Sequence, residues 1–361
     1  MSAISIVVPV FNNASSLPLL LERFQALAAR RPEHRFEFIF VDDGSADGSS
    51  GVIEEMIRGE PRASLVKLSR NFGSSAAILA GLEQASGDAV AAIAADLQDP
   101  PELIDEMLAR WQQGRKVVLA ARQSRDDPWL TALLADAFYA LFRRFAIRAM
   151  PRHGFDFFLI DRQVRDLVIG IRENNAYLMG LILWMGFSPD VIYYHRRQRE
   201  KRFGRSMWTL GKKLKYFVDA FVGFSYLPLR AASALGVLCC LIGFLYALVI
   251  VFRRLVQGAD IQGWASLMVV LLVVSGVQML IVGVLGEYLC RNLEETRRRP
   301  RFVRDYVREG AEAKALREER TQGPGARGQG SGFGVHCSGA QDECAAPGDG
   351  QDGATEKPLA A

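Results

Sequence analysis

The sequence predicts an α/β protein with a Rossmann-like, mostly parallel sheet, followed by two C-terminal transmembrane helices. Through residues 1–125, short continuous apolar runs alternate with amphipathic helical patterns, which is typical of a parallel sheet covered on both faces. Polar residues follow each apolar run, where sheets of this kind bind their ligands. Later, Ala231–Phe252 and Ala265–Gly286 are uncharged runs, each longer than the roughly 20 residues that cross a bilayer core.

The α/β region divides into strands and helices in strict alternation. Continuous apolar runs predict strands at Ile4–Val10, Phe36–Val41, Leu65–Leu68, Ala89–Ala95 and Lys116–Ala121. Amphipathic patterns predict helices at Ser16–Arg30, Gly48–Ile57, Ala76–Ala85 and Pro101–Gln113. The stretch from Asp126 to Arg230 is expected to be mostly helical, with one strand-like element at Gly154–Val164.

Basic residues flank the two long apolar runs unequally. Arg196–Lys215 holds nine Lys or Arg and Arg291–Arg304 holds six, whereas the connecting stretch Arg253–Trp264 holds two Arg and one Asp. Because cytoplasmic flanks carry the excess of Lys and Arg, a multi-pass inner (plasma) membrane protein is predicted, with both termini cytoplasmic. The alternative is a pair of buried core helices, which soluble proteins rarely need back to back.

These observations divide the chain into consecutive parts. The predicted parts are an α/β domain at 1–195, basic amphipathic juxtamembrane helices at 196–230, spans at 231–252 and 265–289, an extracytoplasmic loop at 253–264, a basic cytoplasmic segment at 290–309 and a tail at 310–361. The tail has almost no large apolar side chains, so it is expected to be disordered.

Several other classes of protein do not fit the sequence. A net charge of +4 does not suggest a nucleic-acid binder. The five cysteines have no CxxC spacing, so no zinc or redox motif is indicated. The turn after the first strand reads VFNNAS, without glycine, and neither a dinucleotide-binding GxGxxG at this turn nor a Walker-type motif is found.

Carboxylates follow the second predicted strand in VDDGSADGS. Asp42 and Asp43 come directly after a buried run, where a carboxylate can accept hydrogen bonds from a nucleobase N–H or from ribose hydroxyls. The alternative is an Asx-turn that caps the next helix, and for Asp47 this alternative is preferred. For Asp42, nucleotide binding is the favoured interpretation.

A second acidic group, DLQD, follows the fourth predicted strand. The side-chain oxygens of Asp96 and Gln98 are ligands of the kind that Mg²⁺ or Mn²⁺ prefers, with room left for diphosphate oxygens. Asp99 is expected to be a helix N-cap residue, and Pro101 suits the first position of that helix.

Taken in order, these motifs resemble those of the family 2 glycosyltransferases of GT-A fold. The matching stretches are VPVFNN, VDDGSADGS, SRNFGSSAAILAGL, ADLQDPPE and AAR. The resemblance is closer to the polyprenyl-phosphate and dolichol-phosphate sugar transferases, and FDFFLIDRQV, RFGRSMW, FSYLPLR and GEYLCRNLEETRRRPRF extend it over residues 4–305.

The resemblance implies a reaction and the residues that carry it. A nucleotide-sugar donor, a UDP- or GDP-sugar, would be bound by Pro9, Phe11, Asn13, Asp42 and Arg122. A divalent metal would lie near Asp96 and Gln98, and the acceptor would be polyprenyl (undecaprenyl) phosphate, for modification of a cell-envelope glycan or lipid. Asp156 would orient the acceptor or join the metal shell.

The sequence departs from the family pattern at several positions. Asn13 stands where the family usually has Glu, and Ala94 stands where the first Asp of a DxD-like motif would be. Phe158, Lys201 and Met207 replace Arg, Arg and Lys. The expected metal site therefore has one carboxylate fewer than the family pattern.

Elementary chemistry fits the implied transfer. A lipid monophosphate has a second pKa near 6, so it is largely dianionic at pH 7 and attacks an anomeric carbon directly, with inversion. It needs cations rather than a strong base, and the candidates are Arg122, Arg125, Lys201, Arg202 and Arg205. The basic stretch after His195 has an alternative interpretation, the binding of anionic membrane lipids.

Two other functions fit the sequence less well than sugar transfer. A processive polysaccharide synthase is expected to carry a TED-type base and a QxxRW motif, and neither is present. A catalytically inactive lipid-binding scaffold is favoured only by the alanine at position 94. The sequence leaves homo-oligomerisation open.

Overall fold

A computed structural model describes residues 1–123, 140, 142–144, 147–152, 154–171, 173, 177–195, 227–257 and 263–322. Its strands are β1 (Ser2–Val10), β2 (His34–Asp42), β3 (Ala63–Leu68), β4 (Ala89–Ala92), β5 (Val117–Arg122), β6 (Phe155–Asp161), β7 (Asp190–Tyr194) and β8 (Arg304–Glu309). Its helices are α1 (Leu17–Arg30), α2 (Ser49–Gly59), α3 (Ser74–Gln84), α4 (Leu103–Gln112), α5 (Arg162–Gly170), α6 (Leu178–Trp184), α7 (Leu227–Gln257), α8 (Trp264–Thr296) and α9 (Ala311–Gln322).

The strands form one mixed sheet in the order β7-β5-β6-β4-β1-β2-β3-β8. Strand β1 pairs in parallel with β2 and β4, β2 with β3, and β5 with β7. Only two described strands run the other way: β6 is antiparallel to β4 and β5, and β8 is antiparallel to β3. The predicted mostly parallel α/β fold is therefore confirmed.

Each face of the sheet has its own apolar core. On one face α1, α2 and α4 pack on the alternate positions Ile4, Ile6 and Val8 of β1, and Phe24 of α1 stacks on Phe38 at 5.4 Å between ring centroids. On the other face α3, α5 and α6 pack around Val7. Helix α3 lies so close to the sheet that a Cβ at Gly81 would come within 2.3 Å of the Val7 side chain.

The structure corrects several predicted element boundaries and types. Strand β4 ends at Ala92 rather than Ala95, because the chain then turns through Leu97, which has a left-handed φ of 59°. Helix α4 begins at Leu103, two residues after Pro101. The predicted element at Gly154–Val164 is a strand up to Asp161 and a helix from Arg162, and the Asp161 side chain marks the change by accepting a hydrogen bond from the Gln163 N–H. Strand β7 was not predicted at all.

The beginning of the predicted disordered tail is in fact folded. Strand β8 hydrogen-bonds to the edge of β3, and α9 then packs Ala313 and Leu316 into the domain. Arg320 forms an ion pair with Asp88 at 2.6 Å, which fixes the helix near the start of β4. The prediction of disorder is wrong for 311–322. Burial of the Ala313 and Leu316 side chains, together with a few ion pairs, is enough to order this helix once β8 has paired with the edge of β3. Residues from 323 onward lie outside the described ranges.

Helices α7 and α8 contain the two predicted spans. The windows Leu229–Tyr246 and Val273–Thr296 have mean hydropathies of 1.9 and 1.7, and their apolar side chains are almost entirely exposed. Both helices are long and apolar enough to cross a membrane, and this exposed surface indicates membrane association. The predicted juxtamembrane helices at 196–230 fall outside the described residues up to Tyr226, so they stay a prediction.

Candidate functional site

The polar loops predicted from the sequence meet at the carboxyl edge of the parallel strands. This edge consists of the loops that follow β1, β2, β3, β4 and β5. Because β6 runs antiparallel to β4 and β5, its first residues also lie there. Residues that are far apart in the chain are thus brought to one side of the sheet, as expected for this class of fold.

The loops after β1 and β2 are joined by hydrogen bonds. The Asn12 N–H donates to the Ser45 hydroxyl at 3.0 Å, and Asn12 itself has a left-handed φ of 54°. Asp47 accepts from the Ser49 N–H, which confirms its predicted Asx-turn, and from the Ala14 N–H. Burial opposes the ionisation of Asp47, but a hydrogen bond from the Ser49 hydroxyl, together with these two N–H bonds, outweighs it and lowers the pKa of the carboxyl.

Asp42 organises its own loop. The side chain is completely buried, Oδ1 accepts from the Ser45 N–H at 3.0 Å, and Oδ2 accepts from the Ser50 hydroxyl. This is the Asx-type arrangement that was the less favoured interpretation from sequence. A role for Asp42 in binding a nucleotide stays a prediction.

Asp43 connects the same loop to the beginning of α3. Its carboxylate accepts hydrogen bonds from the Phe72 and Gly73 N–H groups at 2.7 and 2.9 Å. Burial raises the pKa of Asp43 to about 6, against the opposing effect of these hydrogen bonds. The neighbouring Gly44 has φ 71°, and a Cβ there would lie 2.7 Å from the Arg70 carbonyl carbon, so the two loops fit only with glycine.

Burial alternates from residue to residue along the loop after β4. Ala94, Asp96 and Gln98 are half-buried, whereas Ala95, Leu97 and Asp99, the residues between and after them, are buried. The Asp96 Oδ1 atom accepts from the Gln98 N–H at 3.2 Å, which turns the chain. Asp96 and Gln98 therefore both lie on the accessible side of this loop, and so does Ala94.

Asp99 does not cap a helix, which corrects the sequence prediction. It is buried, and its Oδ1 atom accepts a hydrogen bond from the hydroxyl of Tyr194 in β7. The N-cap residue of α4 is Glu102. The double proline directly after Asp99 belongs to a turn, so the helix begins only after it. Asp99 thus ties the loop after β4 to the far strand of the sheet, a contact that no local pattern indicates.

Arg122 and Asp156, which were predicted separately, form an ion pair. Arg122 ends β5, Asp156 is the second residue of β6, and the register between these strands pairs Ala121 with Phe155. The Arg122 Nη2 atom lies 2.5 Å from the Asp156 Oδ2 atom, with 56% of the Asp156 side chain exposed. Phe158, at the position where the family pattern has Arg, is fully buried in the apolar core.

The remaining predicted donor residues occupy the end of β1 and the loop after it. Pro9 pairs in register with Val41, and Phe11 and Asn13 are half-buried at the carboxyl edge. The Asn13 Nδ2 atom is buried and has no hydrogen-bond partner in the described part of the chain. Arg125, Lys201, Arg202 and Arg205 lie outside the described residues.

The chain that leaves α8 arrives at this same edge. The carbonyl oxygen of Val303 accepts from the Ser69 N–H at 3.0 Å, and Arg304 pairs with Leu68 at the end of β3. The carboxyl edge is therefore the edge of the sheet that the second apolar helix approaches. Sequence reasoning missed this contact because β8 was not predicted.

Comparisons with known proteins agree with the motifs. Residues 5–172 match the family model described as Glycosyl transferase family 2. The chain is 38% identical over 300 residues to the uncharacterized glycosyltransferase YkcC of Bacillus subtilis (strain 168), covering 83% of this chain and 92% of that protein. It is 34% identical over 305 residues to the bactoprenol glucosyl transferase of Shigella phage SfV, covering 83% and 97%.

Among solved structures, the chain resembles the mannosyl-3-phosphoglycerate synthase from Rubrobacter xylanophilus. The two are 20% identical, the TM-score is 0.45, and the match covers 73% of this chain and 77% of that one. A TM-score of this size adds nothing to the sequence relationships. Among the described residues, no group of three or more His, Cys, Asp or Glu side chains is arranged to hold a metal ion.

Proposed function

The chain belongs to the family 2 glycosyltransferases, and on that premise we propose that it transfers a sugar from a UDP- or GDP-sugar to polyprenyl phosphate with inversion. The observation that carries this proposal is the relationship to the bactoprenol glucosyl transferase of Shigella phage SfV, which extends over 83% of the chain. That relative is named for a polyprenyl acceptor. The two apolar helices support the same acceptor, because a polyprenyl lipid resides in a membrane.

Binding of the nucleotide sugar is assigned to the carboxyl edge of the sheet. Pro9, Phe11 and Asn13 lie near the middle of this edge, at the carboxyl end of the interior strand β1, and the loop of Asp42 and Asp43 lies beside them. The Nδ2 atom of Asn13, which has no partner among the described residues, is a hydrogen-bond donor, and diphosphate and sugar oxygens are acceptors. An amide at this position can donate such a bond, whereas the Glu of the family pattern, when ionised, cannot.

A Mg²⁺ or Mn²⁺ ion is assigned to the loop after β4. Asp96 and Gln98 offer a carboxylate and an amide oxygen on one side of that loop. Mg²⁺ is commonly held by one or two carboxylates together with substrate phosphates and water, so a single carboxylate fits the ion if the donor diphosphate supplies further oxygens. When bound, the ion neutralises the charge that develops on the departing nucleoside diphosphate.

Recognition of the lipid phosphate is assigned to Arg122 and its ion-pair partner. The Arg122 guanidinium can bind a phosphate through two parallel N–H donors, and Asp156 fixes its orientation at the end of β5. Arg125, Lys201, Arg202 and Arg205 are proposed, from the sequence, to complete the cationic surface. These cations reduce the repulsion between the acceptor dianion and the donor diphosphate.

The segment that follows the second apolar helix runs to the carboxyl edge, and this supports a site that faces the membrane. Val303 follows the second apolar helix by a few residues and already contacts the loop after β3. We assign the α/β domain, residues 1–195, and both termini to the cytoplasm, with spans at 231–252 and 265–289 in the inner membrane. The unequal distribution of Lys and Arg supports this multi-pass orientation.

The proposal is tested with membranes that contain the full-length protein, undecaprenyl phosphate and labelled UDP- and GDP-sugars. One donor should give a labelled lipid that extracts into organic solvent, and Asp96→Asn should abolish it. Asp166→Asn is the matched control, because Asp166 lies on α5 in a surface ion pair with Arg165. Binding of the lipid without transfer from any donor would instead support a scaffold. A growing polymer would support a processive synthase.

A further inference from the structure

A basic surface lies outside the residues assigned to sugar transfer. Ala140, Arg143, Arg144 and Arg148 line an open cavity of about 500 Å³. The stretch from Ala140 to Phe155 also contains Arg152 and has no Asp or Glu. A cavity lined by arginines, within a stretch that carries no carboxylate of its own, attracts an anion of complementary size.

Two of the three arginines have donors that the described part of the protein does not use. The Nη1 atom of Arg143 is buried and has no hydrogen-bond partner there, and Arg148 takes part in no ion pair with any described residue. An unpaired buried N–H of a charged group costs free energy, and neighbouring like charges add to that cost. A bound phosphate would reduce both penalties, because each guanidinium can donate two parallel hydrogen bonds to it.

The position of the cavity indicates where such a phosphate comes from. Phe142, next to Arg143, is buried in the same apolar cluster as Phe155, and the Phe302 side chain packs against that cluster from outside. Phe302 follows α8 by a few residues. The arginines therefore lie beside the apolar cluster that the segment following the second apolar helix contacts. The phosphates nearest to this end are those of lipid headgroups.

We propose that Arg143, Arg144 and Arg148, residues other than those assigned to the polyprenyl phosphate acceptor, bind the phosphate of an anionic phospholipid headgroup. Among the residues that the structure describes, the cavity is lined by arginines and by no carboxylate that could recognise a nucleobase or a sugar hydroxyl, so this lining fits a headgroup phosphate better than a nucleotide. The lipid acts as a fixed counter-ion that holds this side of the domain at the membrane surface. The site does not depend on which sugar is transferred.

The test measures lipid binding by the full-length protein, without any sugar donor. The protein is placed in nanodiscs of phosphatidylcholine with increasing phosphatidylglycerol, and bound phosphatidylglycerol is determined by mass spectrometry. The double variant Arg143→Gln/Arg148→Gln should bind phosphatidylglycerol about 25-fold more weakly, since each basic residue near an anionic surface contributes about five-fold. Arg58→Gln/Arg115→Gln removes the same charge from exposed positions and should have little effect.

Two further arms separate the alternatives. The variant Arg143→Lys/Arg148→Lys keeps the charge but loses the bidentate geometry, so binding between that of the Gln variant and the wild type supports a built phosphate site. Displacement of phosphatidylglycerol by millimolar inorganic phosphate would assign the cavity to free phosphate and overturn the lipid proposal. Equal loss in the control variant would overturn it as well. Because no donor is present, these outcomes are independent of whether sugar transfer succeeds.

Discussion

Two acidic loops at the same edge of the sheet use their carboxylates differently. At the end of β2, Asp42 and Asp43 are buried; Asp42 accepts hydrogen bonds from groups in the stretch that follows it, and Asp43 from backbone groups of the loop after β3. After β4, Asp96 and Gln98 are half-buried on one side of a turn. Both loops follow a buried strand and look alike in the sequence. The difference shows that a carboxylate at a strand end can hold the site together or serve as a candidate ligand, and that burial distinguishes the two.

The largest effect that separates the two loops is expected from Asp96→Asn. Transfer should fall by about 100-fold or more, because charge stabilisation by a bound metal contributes several kcal/mol to the transition state. The temperature of unfolding should change by no more than a few degrees, since Asp96 is half-buried. Activity assays and thermal unfolding of the same preparation give both values. A large loss of stability would place Asp96 with the structural carboxylates instead.

Asp42→Ala should have the opposite profile. The substitution leaves the Ser45 N–H and the Ser50 hydroxyl in a buried place without their acceptor, at a cost of about 2–3 kcal/mol of folding free energy. Denaturant unfolding in detergent measures this loss. If the variant is as stable as the wild type but binds the nucleotide sugar poorly, the favoured interpretation from sequence would be correct.

Asp43 should make stability depend on pH. Its pKa is raised from 3.8 to about 6 in the folded protein, so folding binds a proton between these values. The contribution of Asp43 is therefore complete below about pH 4 and is lost as the pH rises through about 6, by at most about 3 kcal/mol. Asp43→Asn should flatten the unfolding free energy between pH 4 and pH 7. An unchanged slope would show that Asp43 is not the group that titrates.

The smallest effect is expected from Ala94→Asp, which adds a carboxylate to the loop after β4. Because Ala94 lies on the same side as Asp96 and Gln98, the variant should bind Mn²⁺ in the presence of nucleotide about tenfold more tightly. Titration calorimetry measures the affinity. The matched control is Gln113→Asp, which adds the same charge at an exposed position after the end of α4 and should bind Mn²⁺ no better than the wild type. No gain from Ala94→Asp would contradict the assigned metal position.

Much of the fold could be predicted because the relevant information is local. Strands β1 to β5 are continuous apolar runs, and helices α1 to α4 follow from the patterns between them. The family assignment from the ordered motifs is confirmed as well. Strands β7 and β8 were missed, and both lie at an edge of the sheet. Strand β8 in particular reads RDYVRE, a polar sequence that becomes a strand only by pairing with β3.

The site was predicted less completely, because several of its contacts join residues that are far apart in the chain. The spacing of Asp96 and Gln98 predicts that they face one ligand together, and both side chains are half-buried in the loop after β4. The ion pair of Arg122 with Asp156 depends on the register of two antiparallel strands, and the bond from Tyr194 to Asp99 joins residues at distant positions in the chain. Such contacts are set by tertiary packing, which neither periodicity nor local spacing encodes.

The pairing of β8 with β3 is also a late step in folding during synthesis, because β8 lies after both apolar helices in the chain. Residues 304–309 leave the ribosome only after both apolar helices, although β3 has been available since residue 68. Until then the hydrogen-bonding groups along the outer edge of β3 are unpaired, and an unpaired edge is prone to join a strand of another chain. Closure of this edge of the sheet by β8 therefore has to wait until both apolar helices have been made. A chain stalled before that step would be expected to aggregate through β3.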